Sequence, residues 1–184
     1  MDPITRAVLL MLSILPLAPA QPVSIVAGAA TDSQCQQITY PATGWTLKYT
    51  DANLPAPYTS LCFGPTLHYR IPLPSGVYVG WLTFVEPSKT AVGQRLQTVS
   101  IQGQVSAPID VFGLATGQDK PYKFLFVAIV STGILDIQIV SQVGSYAVLS
   151  GIDAAGVPIT SADGMLQSGT LVVITPLVEP PAAM

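Results

Sequence analysis

Hydrophobic and polar residues alternate with a period of two along much of the chain, which is the pattern of half-buried β-strands. The alternation is clearest in residues 67–73, where leucine, tyrosine and isoleucine face one way and histidine and arginine the other. Turn residues separate this stretch from residues 77–86, and a loop separates those from residues 98–103. We therefore predict an antiparallel meander over residues 67–104 as the centre of the domain.

The rest of the chain carries further strand patterns and no sustained helical stripe. These strands are predicted at residues 23–28, 45–50, 122–131, 135–140, 145–152 and 171–174. Phe63-Gly64-Pro65 is predicted to form a turn. About nine to eleven short strands with regular turns predict an all-β protein, built as an antiparallel sandwich or barrel.

The strand predicted at residues 77–86 is apolar on both faces. Tyr78 and Phe84 share one face, and Trp81 lies on the other. Such a strand is either covered on both sides or leaves Trp81 exposed as a platform. We favour core packing for Trp81 and keep the exposed platform as the alternative.

The amino terminus has the pattern of a secretory signal peptide. Residues 7–17 form an apolar run of eleven residues, which suits a signal peptide and is short for a membrane-spanning helix of about 20 residues. Small residues precede the predicted cleavage site after Ala20, and no polar face repeats as in a buried amphipathic helix. We predict a signal peptide at residues 1–20, a β-sandwich at residues 21–175 and a Pro-rich tail or linker at residues 176–184. The mature chain is then secreted, periplasmic or otherwise extracellular.

Composition excludes two classes of partner. Charged residues are 9% of the chain and hydrophobic residues 49%, the formal net charge is −3, and the sequence pI is about 4.7. Because no basic patch is available to neutralise phosphates, we expect no nucleic-acid partner. The absence of a Lys/Arg cluster likewise predicts no membrane partner for the mature form.

The chain has two cysteines, Cys35 and Cys62. In an exported protein, the simplest expectation for such a pair is a disulfide bond. Two thiols and a single histidine, His68, make a metal site improbable, so we predict no metal and no cofactor.

Catalytic chemistry finds little support in the sequence. His68 lies on the outward register of its strand, and the chain has no Gly-x-Ser-x-Gly motif. Glycoside hydrolysis needs two carboxylates, and Glu86 with Asp110 is the alternative that stays open. We favour a structural ion pair between Glu86 and Arg95, and therefore a domain that is not an enzyme.

Three ordered motifs resemble the malectin and malectin-like carbohydrate-binding domains. Residues 69–78 read Tyr-Arg-Ile-Pro-Leu-Pro-Ser-Gly-Val-Tyr, residues 82–86 read Leu-Thr-Phe-Val-Glu, and residues 93–96 read Gly-Gln-Arg-Leu. Shorter pieces extend the resemblance over residues 23–155. It implies a jelly-roll-like, galactose-binding-like β-sandwich that binds carbohydrate.

Two ligand features of that family are missing from this chain. Its aromatic pair is replaced by Pro87-Ser88-Lys89, and no acid follows Tyr146. Sugars also bind by stacking on aromatic rings, and the predicted loops carry Tyr58, Phe63 and Tyr146. We expect weak, non-catalytic glycan binding through these three rings. The alternative is a structural or adhesive sandwich that binds protein partners through a sheet face.

Overall fold

The structure is a computed structural model that describes residues 22–35, 47–50, 58–144, 146–158 and 174–175. The predicted signal peptide, its cleavage site after Ala20 and the Pro-rich tail lie outside the described residues. Within those residues, no helix has the length and apolar character needed to cross a bilayer.

Strands dominate the described residues, and one short helix interrupts them. In chain order the elements are β1 (Val23–Val26), β2 (Leu47–Thr50), β3 (Ser60–Gly64), β4 (Thr66–Pro72), β5 (Gly76–Val85), β6 (Leu96–Ile101), β7 (Gln104–Val105), α1 (Val111–Ala115), β8 (Pro121–Val130), β9 (Ile134–Val143), β10 (Ala147–Leu149), β11 (Gly151–Pro158) and β12 (Ile174–Thr175).

The strands form three antiparallel sheets. A five-stranded sheet has the order β1-β11-β5-β8-β12, and a four-stranded sheet has the order β4-β9-β6-β7. A smaller three-stranded sheet has the order β10-β3-β2.

The core lies between the inner faces of these sheets, where alternate side chains are buried. The five-stranded sheet contributes Tyr78, Leu82, Phe84, Phe124, Phe126 and Ile152, and the four-stranded sheet contributes Leu67, Tyr69, Val99, Ile101, Leu135, Ile137 and Ile139. All of these residues belong to one hydrophobic cluster. The predicted all-β antiparallel sandwich is therefore confirmed.

The predicted meander is wrong. β4 and β6 both pair with β9, whereas β5 pairs with β8 and β11 in the other sheet. The chain thus crosses from one sheet to the other between β4 and β5, and again between β5 and β6. Period-2 alternation identifies a strand and its buried face, but it does not specify which strand is its neighbour.

Several local predictions also need correction. Phe63 and Gly64 end strand β3 instead of forming a turn. The single strand predicted at residues 145–152 is in fact two, since it contains all of β10 and the start of β11, which belong to different sheets. Asp110 caps the single-turn helix α1, with its side chain accepting from the backbone N–H of Gly113 at 2.9 Å. A helix of one turn is too short to leave a helical stripe in the sequence.

The two outer faces of the sandwich differ in chemistry. The outer face of the four-stranded sheet is polar and carries His68, Arg70, Thr98, Ser100, Asp136 and Gln138. The outer face of the five-stranded sheet carries Val77, Val79, Trp81, Leu125, Val127 and Ile129. Trp81 is half-buried on this outer face and is not part of the core, so the core assignment favoured from the sequence is wrong.

Candidate functional site

A groove of about 220 Å³ lies over one face of the three-stranded sheet. Its lining combines strand residues with residues from two adjacent loops. They are Tyr49, Leu61, Phe63, Pro87, Ser88, Arg95, Tyr146 and Val148.

Strand register explains how the floor of this groove forms. Leu61 and Phe63 are two positions apart in β3, so their side chains lie on the same face. Val148 of β10 pairs with Phe63, and Tyr49 of β2 pairs with Leu61. Directly paired residues present their side chains on the same face of a sheet, so four apolar or aromatic side chains converge.

Aromatic rings give the groove its accessible surface. Tyr49 is 37% exposed and Tyr146 is 36% exposed, which leaves part of each ring open to a ligand. The rings of Phe63 and Tyr146 pack edge to face, with centroids 5.8 Å apart and planes at 71°. The structure therefore brings together two of the three aromatic residues predicted from the sequence.

Tyr58, the third predicted ring, does not line the groove. It is half-buried against the core, and its ring covers Gly151 at the start of β11. The groove instead recruits Tyr49 and Ser88. The strand that carries Tyr49 was predicted, but only the pairing of β2 with β3 places this residue beside Leu61.

A buried ion pair lies behind the groove. Glu86 is fully buried and Arg95 is 5% exposed, with Arg95 Nε and Glu86 Oε2 2.6 Å apart. Arg95 Nη2 also donates a hydrogen bond to Glu86 Oε1 at 3.3 Å. The structure thus contains the Glu86–Arg95 pair favoured from the sequence.

Both partners of this ion pair also bind loop atoms at the groove. Glu86 Oε1 accepts from the backbone N–H groups of Ser88 at 3.0 Å and Lys89 at 2.9 Å. Arg95 Nη1 donates to the carbonyl oxygen of Tyr146 at 2.8 Å, and Nη2 donates to Ser88 Oγ at 3.1 Å. These contacts connect both loops of the groove to one buried charge pair.

The remaining candidate groups lie outside the groove. His68 is on the outer face of the four-stranded sheet, where its Nε2 is 3.1 Å from Asp136 Oδ2. Asp110 caps α1 and accepts from the N–H of Gly93, and it is not among the groove residues. No cluster of metal-binding side chains occurs among the described residues.

Comparisons with known proteins give matches in structure only. No protein-family model matches the chain, and no curated protein matches its sequence. A Bacteroides uniformis β-glucuronidase aligns with 74% of this chain at a TM-score of 0.57 and 18% identity. The plant receptor-like kinase FER aligns with 75% of this chain at a TM-score of 0.55 and 17% identity. FER in a complex with the plant peptide RALF23 and LLG2 aligns with 81% at 0.56 and 19%.

These likenesses extend to the fold alone, because every identity is below 25%. The chain spans 18% of the glucuronidase and 42% of the FER chain, so each neighbour is much longer. The plant receptors carry malectin-like domains, and the sandwich described above is similar to them in fold.

Proposed function

We propose that this chain is an exported, non-catalytic carbohydrate-binding domain of the malectin-like type, which holds a glycan in the groove over the three-stranded sheet. The observation that carries this proposal is the convergence of Tyr49, Phe63 and Tyr146 on one apolar groove. Aromatic rings provide flat apolar surfaces for sugar faces. Ser88 and Arg95 add polar groups to the lining of the groove. The Cys35–Cys62 disulfide supports export, since such bonds persist in oxidising compartments.

The size of the groove indicates a small ligand. Its volume of about 220 Å³ lies below the roughly 300–1,000 Å³ of sites for drug-sized molecules. It therefore suits one sugar ring, with the rest of a glycan extending into solvent. One or two stacking contacts and solvent-exposed hydrogen bonds give an expected affinity between millimolar and micromolar, or about 4 to 8 kcal/mol.

The test is affinity electrophoresis of the exported chain on plant and bacterial polysaccharides, followed by calorimetry on any polysaccharide that retards it. We expect Tyr146→Ala and Tyr49→Ala each to weaken binding at least tenfold while the far-UV circular dichroism spectrum of the β-sandwich is retained. His68→Ala is the control, because His68 is an exposed ring on the polar outer face of the four-stranded sheet. Failure of every glycan to bind, or undiminished binding after loss of all three groove rings, would overturn the proposal.

A second candidate function rests on the apolar outer face of the five-stranded sheet. Val79 is 49% exposed and Val77 is 36% exposed, and both stand beside uncharged neighbours on β8. We infer that this face pairs with the same face of a second copy, because the patch around Val77 and Val79 is apolar and self-complementary. The charged residues of this face, Asp153 and Lys123, pair with Trp81 and Thr83, farther along β5. The five strands have 4, 8, 10, 10 and 2 residues, so the whole face presents about 550 Å². That is below the roughly 800 Å² per partner of a standard interface and fits a weak dimer.

Light scattering coupled to size-exclusion chromatography tests this self-association over a range of protein concentrations. We expect a dimer for the native chain and a monomer for Val79→Lys. Thr98→Lys adds the same charge to the polar face of the other sheet and should leave the dimer intact. A native chain that stays monomeric at high concentration would reject this candidate, as would a dimer unaffected by Val79→Lys.

A further inference from the structure

The buried position of the Glu86–Arg95 pair calls for a physical explanation. Removing two charges from water costs several kcal/mol per ion, and the mutual attraction of a buried pair often does no more than offset that cost. Such a pair contributes little net stability, but it fixes geometry when both partners carry further hydrogen bonds. Glu86 follows the end of β5 and Arg95 precedes the start of β6, so the pair closes the loop between them.

The first wall of the groove is built around the Glu86 carboxylate. Its Oε1 atom accepts from two successive backbone N–H groups, those of Ser88 and Lys89, and from Ser88 Oγ at 3.2 Å. The chain therefore wraps around the carboxylate. This turn places Pro87 and Ser88 against the groove.

The second wall depends on Arg95 and its neighbour in β6. Arg95 donates to the Tyr146 carbonyl oxygen, and the Gln97 side chain makes two hydrogen bonds with the backbone of Val148, at 2.9 and 3.1 Å. Gly144 lies so close that a Cβ atom there would collide with the Gln94 carbonyl oxygen. The segment that carries the Tyr146 ring is thus held by the Gln94 backbone and by the side chains of Arg95 and Gln97.

We propose that Glu86 and Arg95 act as one positioning unit, which holds the Ser88 and Tyr146 walls of the groove at a fixed separation. In the same pair, the Glu86 carboxylate neutralises the Arg95 guanidinium charge, so that the groove accepts neutral sugars over acidic ones. This inference rests on the carbohydrate-binding function proposed above. Among the described residues that line the groove, Arg95 has the only charged side chain, and Glu86 balances it at ion-pair distance.

The positioning role is tested without any ligand, by nuclear Overhauser effects between the Phe63 and Tyr146 rings in isotope-labelled protein. We expect these effects in the native chain and their loss in Glu86→Gln and Arg95→Lys. The lysine keeps the positive charge but lacks the planar guanidinium group whose Nη1 donates to the Tyr146 carbonyl oxygen. Asp136→Asn is the matched control, since it removes an exposed carboxylate beside Arg70. Unchanged ring contacts in both variants would overturn the positioning role.

Two milder variants keep the test decisive if the charge variants fail to fold. Ser88→Ala removes only the hydroxyl that bridges Glu86 and Arg95, and Gly144→Ala displaces the segment before Tyr146. We expect both to shift the Tyr146 ring resonances. Native-like ring resonances in both variants would count against the proposal.

The charge preference is tested by affinity electrophoresis on a neutral glucan and on polygalacturonate. We expect the native chain to favour the glucan, and Glu86→Gln to raise the polygalacturonate-to-glucan affinity ratio at least threefold, because the guanidinium is then uncompensated. A ratio that stays unchanged would reject the charge role. If the native chain binds neither polysaccharide, the charge role is rejected, while the ring contacts still decide the positioning role. The carbohydrate-binding function fails only if every polysaccharide of the wider panel also fails to bind.

Discussion

Asp32 and Tyr69 show how single residues attach the amino-terminal loop to the sandwich. Both are buried, and the Tyr69 hydroxyl donates to Asp32 Oδ2 at 2.8 Å. The same carboxylate accepts from the backbone N–H groups of Gly28, Gln34 and Cys35. Charge-assisted hydrogen bonds in a buried position are stronger than neutral ones, so this carboxylate organises the loop that leads to the disulfide.

The Tyr69 hydroxyl makes the stability of the fold sensitive to high pH. Burial, reinforced by the nearby negative charge of Asp32 and by their hydrogen bond, raises the pKa of Tyr69 far above its ordinary value of 10.0. Above about pH 10 the unfolded chain loses this proton and the folded chain keeps it, so the free energy of unfolding falls as pH rises. We expect a loss of up to about 1.4 kcal/mol per pH unit from this group.

Urea denaturation between pH 8 and pH 11 measures this effect. Other groups also titrate in that range, so the comparison is with Tyr69→Phe, which removes the ionisable hydroxyl but keeps the ring. We expect Tyr69→Phe to be less stable than the native chain at pH 8 by about 1 to 3 kcal/mol, because Asp32 loses a buried donor. The difference should narrow above about pH 10. A constant difference across the range would contradict the assignment.

At the scale of strands, aromatic rings cover glycines on neighbouring strands of the five-stranded sheet. Gly80 of β5 pairs with Phe126 of β8, and Gly156 of β11 pairs with Tyr78 of β5. A Cβ atom at either glycine would collide with the paired ring and with a backbone carbonyl oxygen. Because glycine has no side chain, these two positions leave space for the aromatic rings of Phe126 and Tyr78 in the core.

Gly80→Ala should destabilise the fold. The added methyl group meets both the Phe126 ring and the rigid Asp153 carbonyl, and overpacking of this kind costs about 1 to 3 kcal/mol. Gly113→Ala is the control, because a Cβ atom there would make ordinary contacts at 3.5 Å and alanine is favoured within a helix. Equilibrium urea unfolding measures the free energy of unfolding of both variants. Equal values for Gly80→Ala and Gly113→Ala would contradict the packing argument.

Strand positions were largely predictable, whereas strand partners were not. The alternation in β4 and the apolar runs of β5 and β8 mark these strands, because burial of one or both faces leaves a direct trace in the sequence. The sequence does not predict β3, since Gly64 and Pro65 are typical of a turn. In the structure these two residues lie where β3 ends and β4 is about to begin. Pairing of β4 with β9 joins residues about 70 positions apart, and period-2 patterns contain no information about such distant partners.

The aromatic character of the candidate groove is predictable from the sequence, whereas its full set of residues is not. The sequence predicts Phe63 and Tyr146 as aromatic residues near loops, and both line the groove. It does not predict Tyr49 and Ser88, because their contribution depends on sheet pairing and on the turn around Glu86. The Glu86–Arg95 pair was expected as structure, but its contact with the Tyr146 carbonyl follows only from the fold.

At the scale of the whole molecule, the disulfide joins the amino-terminal loop to the sheet that floors the groove. The predicted bond between Cys35 and Cys62 is confirmed, with their Cα atoms 5.8 Å apart. Cys62 lies in β3 between Leu61 and Phe63, two of the groove residues. Stability of the sandwich and placement of the groove floor are thus connected through one covalent bond.

Loss of this bond should lower the free energy of unfolding by about 3 to 4 kcal/mol, because a loop spanning 27 positions is released in the unfolded chain. Replacing both buried cysteines with alanine avoids leaving a free thiol. We expect the double variant to unfold at lower urea concentration than the native chain and to be insensitive to reductant, whereas reductant should destabilise the native chain. The Asp32 hydrogen bonds and the pairing of β3 with β10 do not involve sulfur, so the variant should still fold. Two alkylatable thiols in the native chain purified without reductant, or a double variant as stable as the native chain, would contradict this account.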